Sequence, residues 1–585
     1  MISAGAINHN LQRWRPSPSR FVECLNAALL IRSRPLESAR SGRWFGRLLA
    51  LTALLILPTV DSNAAEEIRL FNIRAHGATG QRQDDARPAI QRAIDACAAI
   101  GGGQVIFPPG EYTAGTIHLR SRVHLRIEKG ATLFATTNPA AYHYETISVQ
   151  AALFFGNNVE DVVIDGEGTI DGQAAYDWRE DDHERVFPHK ESMIRLGKPL
   201  LRPFPKGFPE RTIFPRLAWI GRSRNLHFRG LNWLHSPSWT INLYDCERVR
   251  FDGLHIHTSL KEGVWADGID LDGCRDVSIT NCRIETGDDC IIFISSNVWG
   301  PIRPCENITV SQCLLSSASA AVKFSEGNWN RIRNIRVTDC LLTNVNRGFV
   351  FSTTQGGNIS HVVLSNLTIH CNRFPWFWAG DAQPFFFRIT RLSEFNREPA
   401  GPNERPPGKI HDITIRNVNA YAAGTSRILG HAESWLEDIK LENVKLRLRA
   451  DSSAPFDYAD HALDLRHARR VSLSELETEW QSPALPAWQG ALHIKDAGDI
   501  TIDRFSASPA PVSAAAPVLI FDNVARAQLT RSRARTGTDT FLRVDGAASR
   551  EINVVGNDFT QARQPVASGT NVAAGEIRLR DNQTR

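Results

Sequence analysis

A short motif, apolar-x-apolar followed by Asn, Asp or Gly and a further apolar residue, recurs along most of this 585-residue chain. It stands at Val162–Asp165, Leu226–Phe228, Val249–Leu254, Val277–Asn281, Ile308–Val310, Ile335–Val337, Val362–Leu364, Ile413–Val418, Ile439–Val444, Val471–Leu473, Ile500–Ile502 and Ile552–Val554. From Leu226 to Val362 successive first residues lie 23 to 31 apart, and Ile413 to Ile439 is 26. A fixed period of that size marks a solenoid, whose units bury their apolar faces only against one another. Each unit is too short for a helix hairpin and is rich in Val, Ile, Thr and Asn with period-two alternation, so each is a coil of short strands. Stacked coils make an all-β solenoid, a parallel β-helix. Asn and Asp at the corners tolerate unusual backbone angles and bond neighbouring backbone groups. A propeller is the runner-up, but its blades need about 40 residues or more.

The step from Val362 to Ile413 is 51 residues and holds Phe374-Pro375-Trp376-Phe377-Trp378 and a polar run from Asn396 to Lys409. We read it as one coil carrying a long surface insertion. Asp84-Asp85 precedes an amphipathic run, Ala86 to Ile100, with Ile90, Ile94 and Cys97 on one face and Gly101-Gly102-Gly103 at its end. This predicts an N-terminal capping helix, with the first coil starting at Gln104. After Gln561 the pattern fades, and a ragged or domain-swappable end is expected there.

Ahead of the repeats, Trp44 to Val60 is a basic residue among about a dozen apolar ones, followed by Ser62-Asn63-Ala64-Ala65. That is the form of a secretory signal cut near Ala64 or Ala65, too short to span a bilayer. The alternative is a long cytoplasmic leader with an uncleaved anchor. Residues 1–65 hold eight arginines against three acids, so the whole-chain charge of +4 leaves about −1 for the rest. The basic balance therefore belongs to the leader, and no nucleic-acid partner is implied. Mean hydropathy of −0.26 leaves no room for several membrane spans. Ten cysteines lack metal-site spacing, and Cys274, Cys282, Cys290, Cys305 and Cys313 read as a ladder of small buried residues with room for one bridge.

Chemistry concentrates in Ala266-Asp267-Gly268-Ile269-Asp270 and Thr286-Gly287-Asp288-Asp289-Cys290, whose acids lie somewhat less than one coil apart. In a β-helix that offset sets the segments side by side on one wall. Carboxylates meeting there cannot all ionise cheaply, so at least one is pushed above its ordinary range. A glycosidase needs such a pair: a protonated carboxyl for the leaving oxygen, and a carboxylate to activate water or attack carbon. Most other acids, including Asp165, Asp171 and Asp339, are read as ends of turns.

With Asp165-Gly166-Glu167-Gly168-Thr169-Ile170-Asp171-Gly172 and Ser236-Pro237-Ser238-Trp239-Thr240, these motifs resemble glycoside hydrolase family 28, the polygalacturonase-like pectin hydrolases, over roughly residues 68–450. The resemblance implies a right-handed parallel β-helix. It implies Asp288 as general acid and Asp267 and Asp289 as activators of the hydrolytic water, in an inverting reaction without metal or other cofactor. Inversion predicts carboxyl groups about 6.5–9.5 Å apart, against about 5 Å for retention. Two family positions are altered: Ser319 stands where a Gly-His-Gly histidine is usual, and Gly348-Phe349-Val350-Phe351-Ser352 lacks the Arg-x-Lys that grips galacturonate. Lys323 and Arg347 are the nearby bases, and the Ala321-Val322-Lys323-Phe324-Ser325-Glu326 stretch resembles a divergent subgroup. Asp270, Lys323, Arg347, Trp239 and Trp265 are the expected substrate-binding residues, with Trp299, Trp329, Trp376 and Trp378 near the same groove. For any single Trp, packing beneath a loop is the better expectation. His235, His255 and His257 are expected to be satisfied corner residues, and Glu326 to make an exposed pair with Lys323.

The reading is an exported, secreted or periplasmic, monomeric hydrolase of a polysaccharide or oligosaccharide. Residues 1–65 form its leader, 66–450 its catalytic β-helix, and 451–585 further coils or an accessory region. A lyase or epimerase on the same fold, or a silent carbohydrate-binding β-helix, are the alternatives.

Overall fold

The computed structural model describes residues 69–145, 151–180, 201–207, 214–374, 380–451, 459–481, 483–511 and 515–585. The leader, Trp376 and Trp378 lie outside the described residues. Strands stack in parallel register, each pairing with its counterpart one coil on: Ala152–Asn157 with Arg216–Gly221, then Ile241–Tyr244, Ile269–Asp272 and Ile291–Ile294. A second wall runs through Glu160–Gly166, Arg224–Arg229, Glu247–Asp252, Arg275–Thr280 and Cys305–Ser311. A third runs through Thr169–Asp171, Asn232–Leu234, His255–His257 and Arg283–Thr286. Only neighbouring coils can satisfy these backbone groups, which is why a sequence with a steady period folds this way.

Inward residues form continuous columns. Phe293, Phe324, Phe351 and Phe387 follow one another on successive coils, with ring centroids 5.1, 4.0 and 4.1 Å apart. At one corner Asn366, Asn417 and Asn443 all adopt left-handed backbone angles. Their side-chain amides link coil to coil, Asn417 to Asn366 and Asn443 to Asn417, at 3.0 Å each. Asparagine bears this conformation with little strain, as the corner chemistry in the sequence predicts.

The helix Arg87–Ala99 packs Ile90, Ile94 and Cys97 fully inward over the first coils. Val362 pairs with Ile413 directly, so the 51-residue step is a single coil. Its insertion carries the strand Gln383–Ile389, which joins the first wall, and a short helix, Leu392–Asn396.

Two expectations are corrected. The rhythm does not stop at Gln561: Ala562–Ser568 pairs with Thr538–Asp545, and Ile577–Arg580 pairs with Arg550–Val555. Ala562 is buried in this stretch, while Arg563, Arg578 and Arg580 are exposed. Among the described residues no bridge forms, since the nine cysteines there are all free and buried. Among the same residues, no helix is long and apolar enough to cross a membrane.

Candidate active site

The two acidic motifs fall at one corner, where the third wall turns into the first, on consecutive coils. Ile269 is in register with Ile291, which brings Asp267 beside Asp289. The turns need their glycines: a Cβ on Gly268 would lie 2.4 Å from the Cys290 carbonyl oxygen, and one on Gly287 would lie 2.2 Å from that of Ser259. The backbone N–H of Asp289 donates to Asp267 Oδ1 at 3.1 Å and to Asp288 Oδ1 at 3.0 Å. One amide therefore orients two carboxyls. Thr286 and Ser317 hydroxyls donate to the Asp288 carbonyl at 2.8 and 2.6 Å, fixing the turn from both neighbouring segments.

Oxygens of Asp267, Asp288 and Asp289 lie within 4.8 Å of one another. These are the facing oxygens of the three groups, brought together by the register of adjacent coils. All three are buried, Asp288 being the most open at 6%. Burial, then the charges of Asp270 and Asp289, hold the Asp267 carboxyl well above the ordinary range. Burial, then Asp267 and Asp289, do the same to Asp288. In a water-poor corner a proton is retained in preference to several adjoining anions.

The cation of this cluster is Lys323. Its Nζ lies 3.0 Å from Asp289 Oδ2 and 3.3 Å from Glu326 Oε2. Burial alone would lower it, but Asp289 and Glu326 outweigh burial and keep the ammonium charged. Glu326 is correspondingly held low, Lys323 overcoming burial. The Lys323–Glu326 contact is thus largely shielded, with side chains 14% and 17% exposed, not the exposed pair expected, because the Lys323 ammonium also reaches Asp289 in the carboxyl cluster. Asp289 Oδ1 also accepts from the Ala320 N–H at 3.0 Å.

The other expected residues divide. Asp270 is wholly buried, neither of its oxygens has a hydrogen-bond partner among the described residues, and burial raises it against the charge of Arg216. Arg347 lies on the ladder of Asp267 and Asp289, one coil past Ala320. Trp265 is buried among Phe204 and Phe214, at 5.9 and 5.4 Å, under a loop. Trp239 is half-buried with the Arg216 guanidinium 4.4 Å from its ring centre, and Trp299 shares that cation at 5.3 Å. Trp329 sits beneath Arg405 in the same manner, 5.4 Å away. Ser319 has Ser317 Oγ on its backbone N–H at 2.9 Å and supplies no imidazole. His235, His255 and His257 are satisfied by Asp171, Asn232 and Glu285, at 3.1, 3.1 and 2.8 Å.

Sequence reasoning missed Arg216. Burial brings it down to about 10, and the charges of Asp270 and Asp267 oppose that fall. Its signal was a lone Arg opening the otherwise apolar strand Arg216–Gly221, whose residues are all buried.

The segment 208–375, which holds both acidic motifs and Lys323, matches the family described as Glycosyl hydrolases family 28. Over that segment the chain resembles family 28. It is 22% identical to a polygalacturonase of Cryptomeria japonica over 413 residues, 68% of this chain and 71% of that protein. It is 25% identical to an exopolygalacturonase of Zea mays, over 43% of this chain and 54% of that one. The chain thus spans only about half the length of the maize relative. Among solved structures, the exopolygalacturonase of Thermotoga maritima superposes with a TM-score of 0.54 at 21% identity, covering 70% of this chain and 92% of that one. The family 28 exopolygalacturonase of Yersinia enterocolitica gives 0.55 at 18%, covering 74% and 78%. These two share the fold, and the chain is similar to polygalacturonase-like glycoside hydrolases.

Proposed function

We propose that this chain hydrolyses glycosidic bonds of a pectin-like polysaccharide or its oligosaccharides at the Asp267–Asp288–Asp289 corner. The observation that carries the reading is the three-carboxyl cluster, two of whose members are pushed toward the protonated form while Asp289 is paired with Lys323. Asp288, the most open of the three, protonates the leaving oxygen. Asp267 and Asp289 hold the water, and Asp289, paired with Lys323, takes its proton as it attacks the anomeric carbon from the opposite side and inverts it.

Facing oxygens all within 4.8 Å of one another leave room for a single water between two of them. One water at about 2.8 Å from each of two carboxylate oxygens spans roughly 4.5 Å between them. Lys323 positions Asp289 rather than the substrate. The chemistry lies within the 66–450 part, and the apolar segment ending near Ala65 takes the protein to the periplasm or the medium as a monomer.

The experiment is proton NMR of products from the chain starting near Glu66, incubated with pectic and neutral polysaccharides beside Asp288→Asn. New reducing ends of inverted configuration, lost in the variant, are the expected result. Retained configuration would assign one carboxylate as a nucleophile, and unsaturated ultraviolet-absorbing products would overturn hydrolysis in favour of elimination.

A further inference from the structure

The acid corner lies at one edge of the outer face of the first wall. Side chains alternate along its strands, so Ile241, Ile269 and Ile291 face the core while Asn242, Asp270 and Ile292 stand outward, one coil after another. That outward column continues to Lys323 on one side and to Trp219 on the other. Lys323 meets Asp289 at 3.0 Å, so the column passes the acid corner. At Trp219, two coils before Asp270, the face is covered. Trp239 and Trp299 reach it from opposite edges: Trp239 precedes the strand Ile241–Tyr244, and Trp299 follows the strand Ile291–Ile294. Their rings meet edge to face with centres 6.3 Å apart, and the Arg216 guanidinium lies 4.4 and 5.3 Å from the two. Beneath them Trp219 stacks on Phe155 at 5.2 Å and meets Trp299 at 5.8 Å. Trp219 is wholly buried in spite of facing outward, and Arg216 and Trp299 are 4% and 7% exposed.

The Trp299 loop is tied back along the wall to reach this place. Ile294 stands in column with Asp272, Tyr244 and Gly221 of the three preceding coils. The Ser296 N–H donates to Asp272 at 2.9 Å, the Tyr244 hydroxyl to the Pro301 carbonyl at 2.8 Å, and Arg222, next to Gly221, to the Trp299 carbonyl at 3.3 Å. Bonds to three successive coils make Trp299 a fixed part of the wall. A polymer lying along the outward column would have to pass through Trp239, Arg216 and Trp299. Neighbouring strands are about 4.8 Å apart, so roughly 10 Å of open column separates Trp219 from Asp270. That length holds the end of a chain and not a chain that continues. We propose that Trp239, Arg216 and Trp299 form a stop across the groove, so that this protein cuts its polysaccharide close to one end and releases short products. The cutting rests on the hydrolase reading, whereas the stop rests on the packing of the two edges alone. Indole faces also suit the apolar side of a terminal sugar ring, and a cation held between two rings fixes both.

The test uses polygalacturonate fractions of short and long mean length. With the wild-type protein, the stop predicts small saccharides from the first time points and a loss of viscosity that lags behind the release of reducing ends. Trp299→Gly should shift this to products of intermediate length with an early loss of viscosity, and Trp299→Phe should keep the wild-type pattern. A change that merely loosened the fold would slow release without altering product length. Binding to the Asp288→Asn protein, followed by analytical ultracentrifugation, needs no tryptophan variant to fold. A stopped groove takes one protein per chain on short and long fractions alike, whereas a through groove takes more as the chain lengthens. Intermediate products from the wild type, or loading that grows with length, would overturn the stop even if reducing ends are released. One protein per chain with no bond cleaved by the wild type would uphold the stop and sink the hydrolase reading, and the absence of both binding and cleavage would overturn the two together.

Discussion

At the scale of single residues, the acid corner trades stability for protonation. Asp267 and Asp288 are buried beside further carboxyls, so the cluster titrates as a unit and keeps protons that isolated acids would lose. Replacing Asp288 by Asn removes a titratable acid and one source of repulsion together. Hydrolysis should fall at least about 100-fold, the scale of general-acid catalysis, while the melting temperature rises; reducing-end release and scanning calorimetry read the two effects. Asp272 gives a pH effect of defined sign. It is buried, accepts from the Ser296 N–H at 2.9 Å and from the Ser296 hydroxyl, and burial still pushes it up to about 6 from 3.8. The folded state therefore binds the proton more tightly than the unfolded chain. Its contribution, at most about 3 kcal/mol, is fully present below about pH 4 and is lost as pH rises through about 6. Denaturant titrations between about pH 4 and 7 should show stability falling with pH, less steeply in Asp272→Asn. The acidic motifs could be read from sequence because adjacent acids in glycine turns are rare as mere turn chemistry. Arg216 and Arg388 could not, since a lone Arg in an apolar strand says nothing of the coil it will meet.

At the scale of elements, the period fixed which segments stack, and the phenylalanine column shows why that was legible. Phe293, Phe324, Phe351 and Phe387 occupy one inward position on successive coils, so the same apolar demand recurs at every repeat. Phe351 is fully buried between two rings at 4.0 and 4.1 Å. Phe351→Ala should cost about 3–5 kcal/mol in urea unfolding, because rigid stacked coils cannot close over the space. What the period could not show is the work of the interruption. The insertion between Val362 and Ile413 reads in sequence as a long surface insertion with an aromatic and a polar run, yet its strand Gln383–Ile389 continues the wall, and its short helix sets Phe395 on Arg388. An insertion is placed by contacts made across coils, and these have no repeat to announce them. The meeting of the two acidic motifs was legible for the same reason as the column, since Asp267 and Asp289 are separated by the same offset of 22 residues at which Ile269 pairs with Ile291.

At the scale of the whole molecule, strand pairing among the described coils runs between neighbouring coils, with a few side chains such as Arg535 to Glu477 reaching one coil further, so stability and activity can be altered at different places. The last paired strand, Ile577–Arg580, carries Arg578 and Arg580 outward and covers Arg550–Val555, whose Ile552 and Val554 are fully buried. Charged side chains on an outermost strand discourage another chain from adding to it. Deleting residues 569–585 would uncover the strand beneath, with its unpaired backbone groups and a Val-Val pair at its end. The shortened protein should self-associate in a concentration-dependent way, seen by light scattering after size exclusion, while its monomer fraction keeps kcat/KM within about twofold of the full chain. The acid corner is many coils away, and nearest-neighbour coupling leaves no route for the loss to reach it. A large fall in kcat/KM in the monomer would mean that the coils act as one cooperative body, with the C-terminal stack helping to hold the catalytic corner in register.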